Sequence, residues 1–128
     1  MSFLIDTHAF LWYIQASDQL SPKAADILED PNQKLYFSIA SLWEISIKMG
    51  LDKLKLDNSF RELEVLLPRL SIEILPIIFA DTETYLGLPL HHRAPFDRIL
   101  ITQAMNRSLS IITADSAFDA YSIDRVWL

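Results

Sequence analysis

Short apolar runs alternate with helix-length stretches along the whole chain of 128 residues. That alternation constrains the fold more than any other feature. A strand–helix–strand succession lays helices on both faces of a sheet and implies mainly parallel pairing. Strand candidates are residues 2–6, 35–37, 71–75, 109–113 and 125–128. Helix candidates are 8–14, 22–29, 39–49, 59–67, 79–86 and 96–107, with a helical turn at 116–121. Ser21 and Pro22 read as an N-cap followed by an N1 proline. Ser38 reads as the cap of the third helix and Gly50 as its stop. Pro68 closes the fourth helix, and Pro95 opens the clearest one, with Phe96, Ile99, Leu100 and Ala104 on one face. The expected fold is a single-domain α/β/α sandwich over residues 1–128 with a central, mainly parallel sheet. In such sheets, ligands bind beyond the carboxyl ends of the strands.

Composition narrows the chemistry. There are no cysteines, which excludes disulfides, thiolate zinc sites and cysteine nucleophiles and fits a reducing compartment. The N-terminus reaches Asp6 before a signal sequence could form, and no apolar run approaches the ~20 residues that span a bilayer. A soluble, cytoplasmic protein is expected. The formal net charge of −6 is awkward for binding nucleic acid, where Lys and Arg usually contact phosphate. Taken alone, it favours a protein that binds none. An acidic metal site would account for part of the excess.

Four acids stand at junctions that lead into helices. Asp6 ends the first strand, Asp115 follows the 109–113 strand, Asp97 falls at N3 if Ala94 is the cap, and Glu44 lies early in its helix. Each has a plain structural reading. Asp6 and Asp115 suit N-caps. Asp97 suits the positive end of a helix dipole. Ser41 and Glu44 match a capping box. Together they read differently, because helices that follow parallel strands begin at one edge of the sheet. Carboxylates gathered there repel and raise one another's pKa, and a cation relieves that. Oxygen-only ligands suit Mg²⁺ or Mn²⁺. Such a site activates water and neutralises a phosphodiester undergoing in-line displacement.

Asp6-Thr7-His8, Trp43-Glu44-Ile45, Pro95-Phe96-Asp97-Arg98 and Thr113-Ala114-Asp115 resemble the acidic motifs of PIN-domain nucleases, and in particular the VapC toxins of bacterial toxin–antitoxin pairs. The resemblance covers essentially the whole chain, including Ser21-Pro22-Lys23, the 88–92 segment and Val126-Trp127. It implies Mg²⁺- or Mn²⁺-dependent endoribonuclease activity on RNA, a homodimer and inhibition by a small antitoxin protein. Asp6, Glu44, Asp97 and Asp115 match the family's acids, and Thr113 matches the hydroxyl residue that orients water or carboxylate. Asp119, one helical turn past Asp115, is a candidate outer-sphere ligand, though a solvated helix residue explains it better. Relatives often carry an acid where this chain has Ala94, a poor N-cap. The apolar share of 51% fits a groove for an antitoxin helix.

The remaining features read more plainly. His91 and His92 have no partner at zinc spacing and suit a loop. Arg93 and Arg98 flank Asp97 and are candidate phosphate contacts. Lys48, Lys53 and Lys55 form a basic stretch that is ordinarily just solvated. Of Phe10, Trp12, Tyr13 and Trp43, most should pack rather than stack on bases. Two other functions compete. One is a phosphatase or phospho-receiver domain with Asp6 as the phosphorylated nucleophile, disfavoured because haloacid-dehalogenase-type enzymes need a second Asp where His8 stands. A catalytically silent protein-binding module fits the charge and the apolar surplus.

Overall fold

In the computed structural model, residues 1–91 and 94–128 are described. The sequence expectations for His92 and Arg93 lie outside them. The element order is β1 (Ser2–Ile5), α1 (Thr7–Ile14), α2 (Pro22–Glu29), β2 (Lys34–Ser38), α3 (Ile39–Gly50), α4 (Glu62–Arg69), β3 (Ile72–Leu75), α5 (Phe79–Leu86), α6 (Pro95–Arg107), β4 (Ser110–Ile112), a 3₁₀ turn (Ser116–Ala120) and β5 (Arg125–Val126). The five strands form one sheet in the order β3-β2-β1-β4-β5. All four pairings are parallel. Strand order therefore reverses beside β1, with β2 on one side and β4 on the other.

Strand side chains alternate between two cores, which is why the central strands are apolar on both faces. Phe3, Ile5, Phe37 and Ile112 join Phe10, Leu28, Ile45 and Leu63 on the side covered by α1 to α4. The Phe10 and Phe37 rings stack with centroids 4.3 Å apart. Leu4 and Ile111 face the other way, onto Leu100, Ile101, Ala104 and Phe118. Helix α6 covers this second face, and its residues 98–104 are all buried.

The caps follow the sequence. Ser21 Oγ accepts from the Ala24 amide at 3.1 Å, and the same hydroxyl donates to the carbonyl of Trp127, tying the C-terminus to α2. Ser38 Oγ accepts from the Ala40 amide at 3.0 Å.

Several boundaries differ from expectation. Gly50 is the last residue of α3 rather than its stop, and the left-handed residue is Asp52, at φ 56°. Ala16, Ser71 and Ser108 likewise take positive φ after their helices, at 52°, 57° and 53°. Pro68 lies inside α4, not beyond it. One missing N–H in the final turn is tolerated because buried Leu63 and Leu67 anchor the helix. Ser59 starts a turn rather than the helix itself, its hydroxyl held by Glu62 at 3.1 Å. β5 stops at Val126, two residues short of the expected strand.

Candidate active site

The site grows from strand register. Ile5 on β1 pairs with Ile112 on β4, so Asp6 and Thr113 emerge side by side at the carboxyl edge, where strand order reverses. That crevice is where an open parallel sheet receives ligands. The Asp6 amide donates to the Ile112 carbonyl at 3.0 Å, which fixes the backbone there.

Asp6 occupies the N-cap position of α1 but makes no side-chain cap bond to it. Its Oδ2 instead accepts the Thr113 hydroxyl at 2.8 Å. The carboxylate is only 7% exposed. Burial pushes its pKa up from 3.8 to about 6, with the charge of Asp97 adding to the rise. The Thr113 hydroxyl and the nearby His8 work against it. The capping explanation of Asp6 thus fails on geometry, and a buried carboxylate facing another acid replaces it.

Thr113 is fully buried. Its Oγ1 donates to Asp6 and accepts the Asp115 amide at 3.1 Å. Asp115 is exposed and caps the 3₁₀ turn, its Oδ1 accepting the Ala117 amide at 2.9 Å. Its plain structural reading is therefore present, whatever further part it plays. Asp97 sits at N3 of α6 and half-buried, and Ala94 supplies no side-chain cap.

The capping-box explanation of Glu44 does not survive, because Ser38 caps α3 and Ser41 lies inside the helix. Glu44 is the sixth residue of α3, and its Oε2 meets Lys48 Nζ at 3.0 Å. Trp43, 61% exposed, meets the Phe96 ring edge-on at 5.4 Å, joining α3 to the start of α6. Phe10 is buried, and Trp12 packs against His8 and Trp127.

Two expectations change. Arg98 is not a surface phosphate contact. It is buried, donates to the carbonyls of Leu88 and Pro89, and lies 4.9 Å over the Tyr85 ring. Asp119 is engaged by Arg125, with Oδ1 2.8 Å from Nε and Oδ2 3.1 Å from Nη2. Arg125 is a residue that sequence reading placed only as strand. Nothing in a six-residue separation announces the pair. Lys53, Lys55 and His91 are exposed, and His91 stacks edge-on against Tyr121 at 5.3 Å.

Among the described residues, no three acids or histidines stand close enough to hold an ion between them. The expected grouping of all four acids is therefore not seen as one compact cluster among the described residues. What the fold does bring together is Asp6, felt electrostatically by Asp97, with Thr113 as brace. That donor set fits Mg²⁺ or Mn²⁺. Magnesium ordinarily takes only one or two carboxylates and keeps waters or phosphate oxygens elsewhere. A cation would also relieve the charge that burial makes unfavourable on Asp6. A separate cleft of about 380 Å³ between α1 and α4 is lined by Tyr13, Ile14, Leu63, Leu66 and Leu70 and contains none of the four acids. No described helix is long and apolar enough to cross a membrane.

The sequence model of the PIN domain matches residues 3–124. No curated protein sequence matches the chain. Among solved structures, VapBC2 from Rickettsia felis, bound to a DNA fragment from their promoter, is similar at 19% identity and TM-score 0.72, covering 100% of both chains. VapBC-1 from nontypeable Haemophilus influenzae aligns at 17% identity and TM-score 0.68 over 98% of this chain and 97% of that one. A toxin–antitoxin complex from Klebsiella pneumoniae aligns at 17% identity and TM-score 0.65, over 96% of this chain and 94% of that one. These likenesses are of fold.

Proposed function

The chain belongs to the PIN domain family, and on that premise we propose that it is a Mg²⁺- or Mn²⁺-dependent endoribonuclease, the toxin of a toxin–antitoxin pair acting in the cytoplasm. One observation carries the reading. Asp6 is buried at the point where strand order reverses and is held by Thr113, although its position would let it cap α1. A group buried at such a cost in solvation, beside a second acid, is a candidate functional site with a physical rationale.

In this reading Asp6 and Asp97 hold the ion, and Glu44 and Asp115 complete its surroundings. When bound, the ion supplies activated water and neutralises the phosphodiester during in-line displacement. Thr113 keeps the Asp6 carboxylate in one orientation. Lys48 leaves Glu44 close to charge-balanced until substrate arrives. No side-chain nucleophile is required. The fold likeness to a toxin–antitoxin complex supports a small antitoxin as partner, and the family resemblance implies a homodimer as the working form.

The test is cleavage of total RNA with Mg²⁺ or Mn²⁺ by wild type, Asp6→Asn and Asp97→Asn. Wild type should cut and both variants should be at least 100-fold slower. Equal cleavage by all three proteins would overturn the assignment.

A silent binding module is the second reading. It is favoured by the −6 charge and by the lack of any three-acid cluster among the described residues. Calorimetry with Mn²⁺ separates the two, since only the nuclease reading requires binding.

A further inference from the structure

We infer that Arg125 and Asp119 form a brace that positions the metal-binding edge, so that Asp119 serves the site through Arg125 and not as a ligand. The inference rests on the metal-site reading above and names two residues which that reading leaves out.

Three contacts define the brace. Arg125 Nε and Nη2 grip both Asp119 oxygens, at 2.8 and 3.1 Å. Its Nη1 donates to the Thr113 carbonyl at 3.3 Å. β4 and β5 pair through Ile111↔Arg125 and Ile112↔Val126, and the Thr113 amide still reaches the Val126 carbonyl. β5 ends there, so the guanidinium meets the Thr113 carbonyl where the ladder would have continued. One planar fork thus spans the segment from Thr113 to Asp119. Within that segment Thr113 Oγ1 holds Asp6, and the Asp115 amide is hydrogen-bonded to the same oxygen. Fixing the two ends of the segment fixes what lies between them.

The pairing is held by charge as well as shape. The Arg125 hydrogen bonds keep the Asp119 carboxyl below its ordinary range. Asp119, and beyond it Asp115, favour the charged guanidinium. A partly exposed ion pair contributes little stability by itself. Geometry is therefore the better explanation for three converging contacts. Lys cannot reproduce them, since an ammonium is a point charge without the fork.

The test uses Arg125→Ala, Arg125→Lys and Asp119→Asn. Two readouts are taken on folded protein: Mn²⁺ affinity by calorimetry, and hydrogen exchange of the Asp115 amide without metal. The brace predicts at least tenfold weaker Mn²⁺ binding and at least tenfold faster Asp115 exchange in all three variants. Arg125→Ala combined with Asp119→Asn should be no worse than Arg125→Ala alone. RNA cleavage should fall through kcat with KM nearly unchanged. Asp119→Asn is nearly isosteric at an exposed site and guards against misfolding in the arginine variants. Wild-type Mn²⁺ affinity in Asp119→Asn and Arg125→Lys would overturn the brace. If wild type binds no Mn²⁺, the metal-site reading fails, and the exchange rates alone then decide the brace.

Discussion

The Thr113 hydroxyl lies 2.8 Å from Oδ2 of Asp6, across the seam between β1 and β4. Both groups are almost wholly out of water. Removing the hydroxyl with Thr113→Val leaves a buried carboxylate oxygen without its partner. The loss should be about 1–3 kcal/mol at neutral pH. The same change should move the Asp6 pKa further up, because the hydroxyl lowers it. Denaturant unfolding and a carboxyl-carbon NMR titration check the two effects.

Asp6 sets a pH dependence with a definite sign. Its pKa is raised on folding from 3.8 to about 6, so the folded state holds the proton more tightly. Stability of the metal-free protein should therefore fall as pH rises through that window and stay lower above it. The size is on the order of 3 kcal/mol. Asp6→Asn should abolish the slope and be the more stable protein at pH 7. Mg²⁺ should stabilise wild type more at pH 7 than at pH 5, since ion and proton compete for the same carboxylate. Thermal melts across pH, with and without Mg²⁺, give the answer.

A second buried acid behaves in the opposite sense. Asp81 is fully buried, and Arg107 grips both its oxygens at 2.7 and 3.0 Å. Burial alone would raise its pKa, but Arg107, the Ile78 amide and Asn106 overcome this and hold it below the ordinary value. Its contribution is complete above the unfolded pKa and is lost as pH falls through the lowered one. Arg107→Ala should cost about 3 kcal/mol by stranding the charge. Mn²⁺ affinity should not change, because the pair joins α5 to α6 away from Asp6. Chemical denaturation and calorimetry on the same variant test both halves.

Helix ends offer a stabilising change. The sequence contains only two glycines, and neither has positive φ. Ala16 and Ser108 instead occupy the left-handed region just past α1 and α6. A Cβ there is strained by roughly 1–2 kcal/mol. Part of that is returned as the entropy glycine loses on folding. Ala16→Gly and Ser108→Gly should each stabilise the protein by about 0.5 kcal/mol, read as a rise in Tm without loss of RNA cleavage.

Local chemistry explains which parts of the architecture the sequence disclosed. Ser21-Pro22, Ser38 and Pro95 mark helix starts through capping and fixed φ, forces that act within a few residues, and all three starts fall where expected. Gly50 and Pro68 misled, because the αL position passed to Asp52 and because tertiary burial of Leu67 carried α4 past its proline. The carboxyl-edge position of Asp6 was legible, since it follows from a strand ending in an acid. Its bond to Thr113 is set by the register of two strands far apart in sequence. Arg98 stands next to Asp97 in sequence, yet helical rotation sends it inward to the Leu88 and Pro89 carbonyls. The reach of the Arg125 side chain had no sequence signal at all. Convergence of all four acids was the boldest expectation. The fold sets Thr113 against Asp6 at 2.8 Å and brings the charge of Asp97 to bear on the same carboxylate.

The most direct measurement is a calorimetric titration of Mn²⁺ into wild type, Asp6→Asn and Asp97→Asn at pH 6 and pH 7. A metal site built on this carboxyl pair predicts saturable binding to wild type, with proton release greater at pH 6 than at pH 7. Both variants should bind at least tenfold more weakly. Equal affinity in all three proteins, or binding without proton release at pH 6, would contradict it.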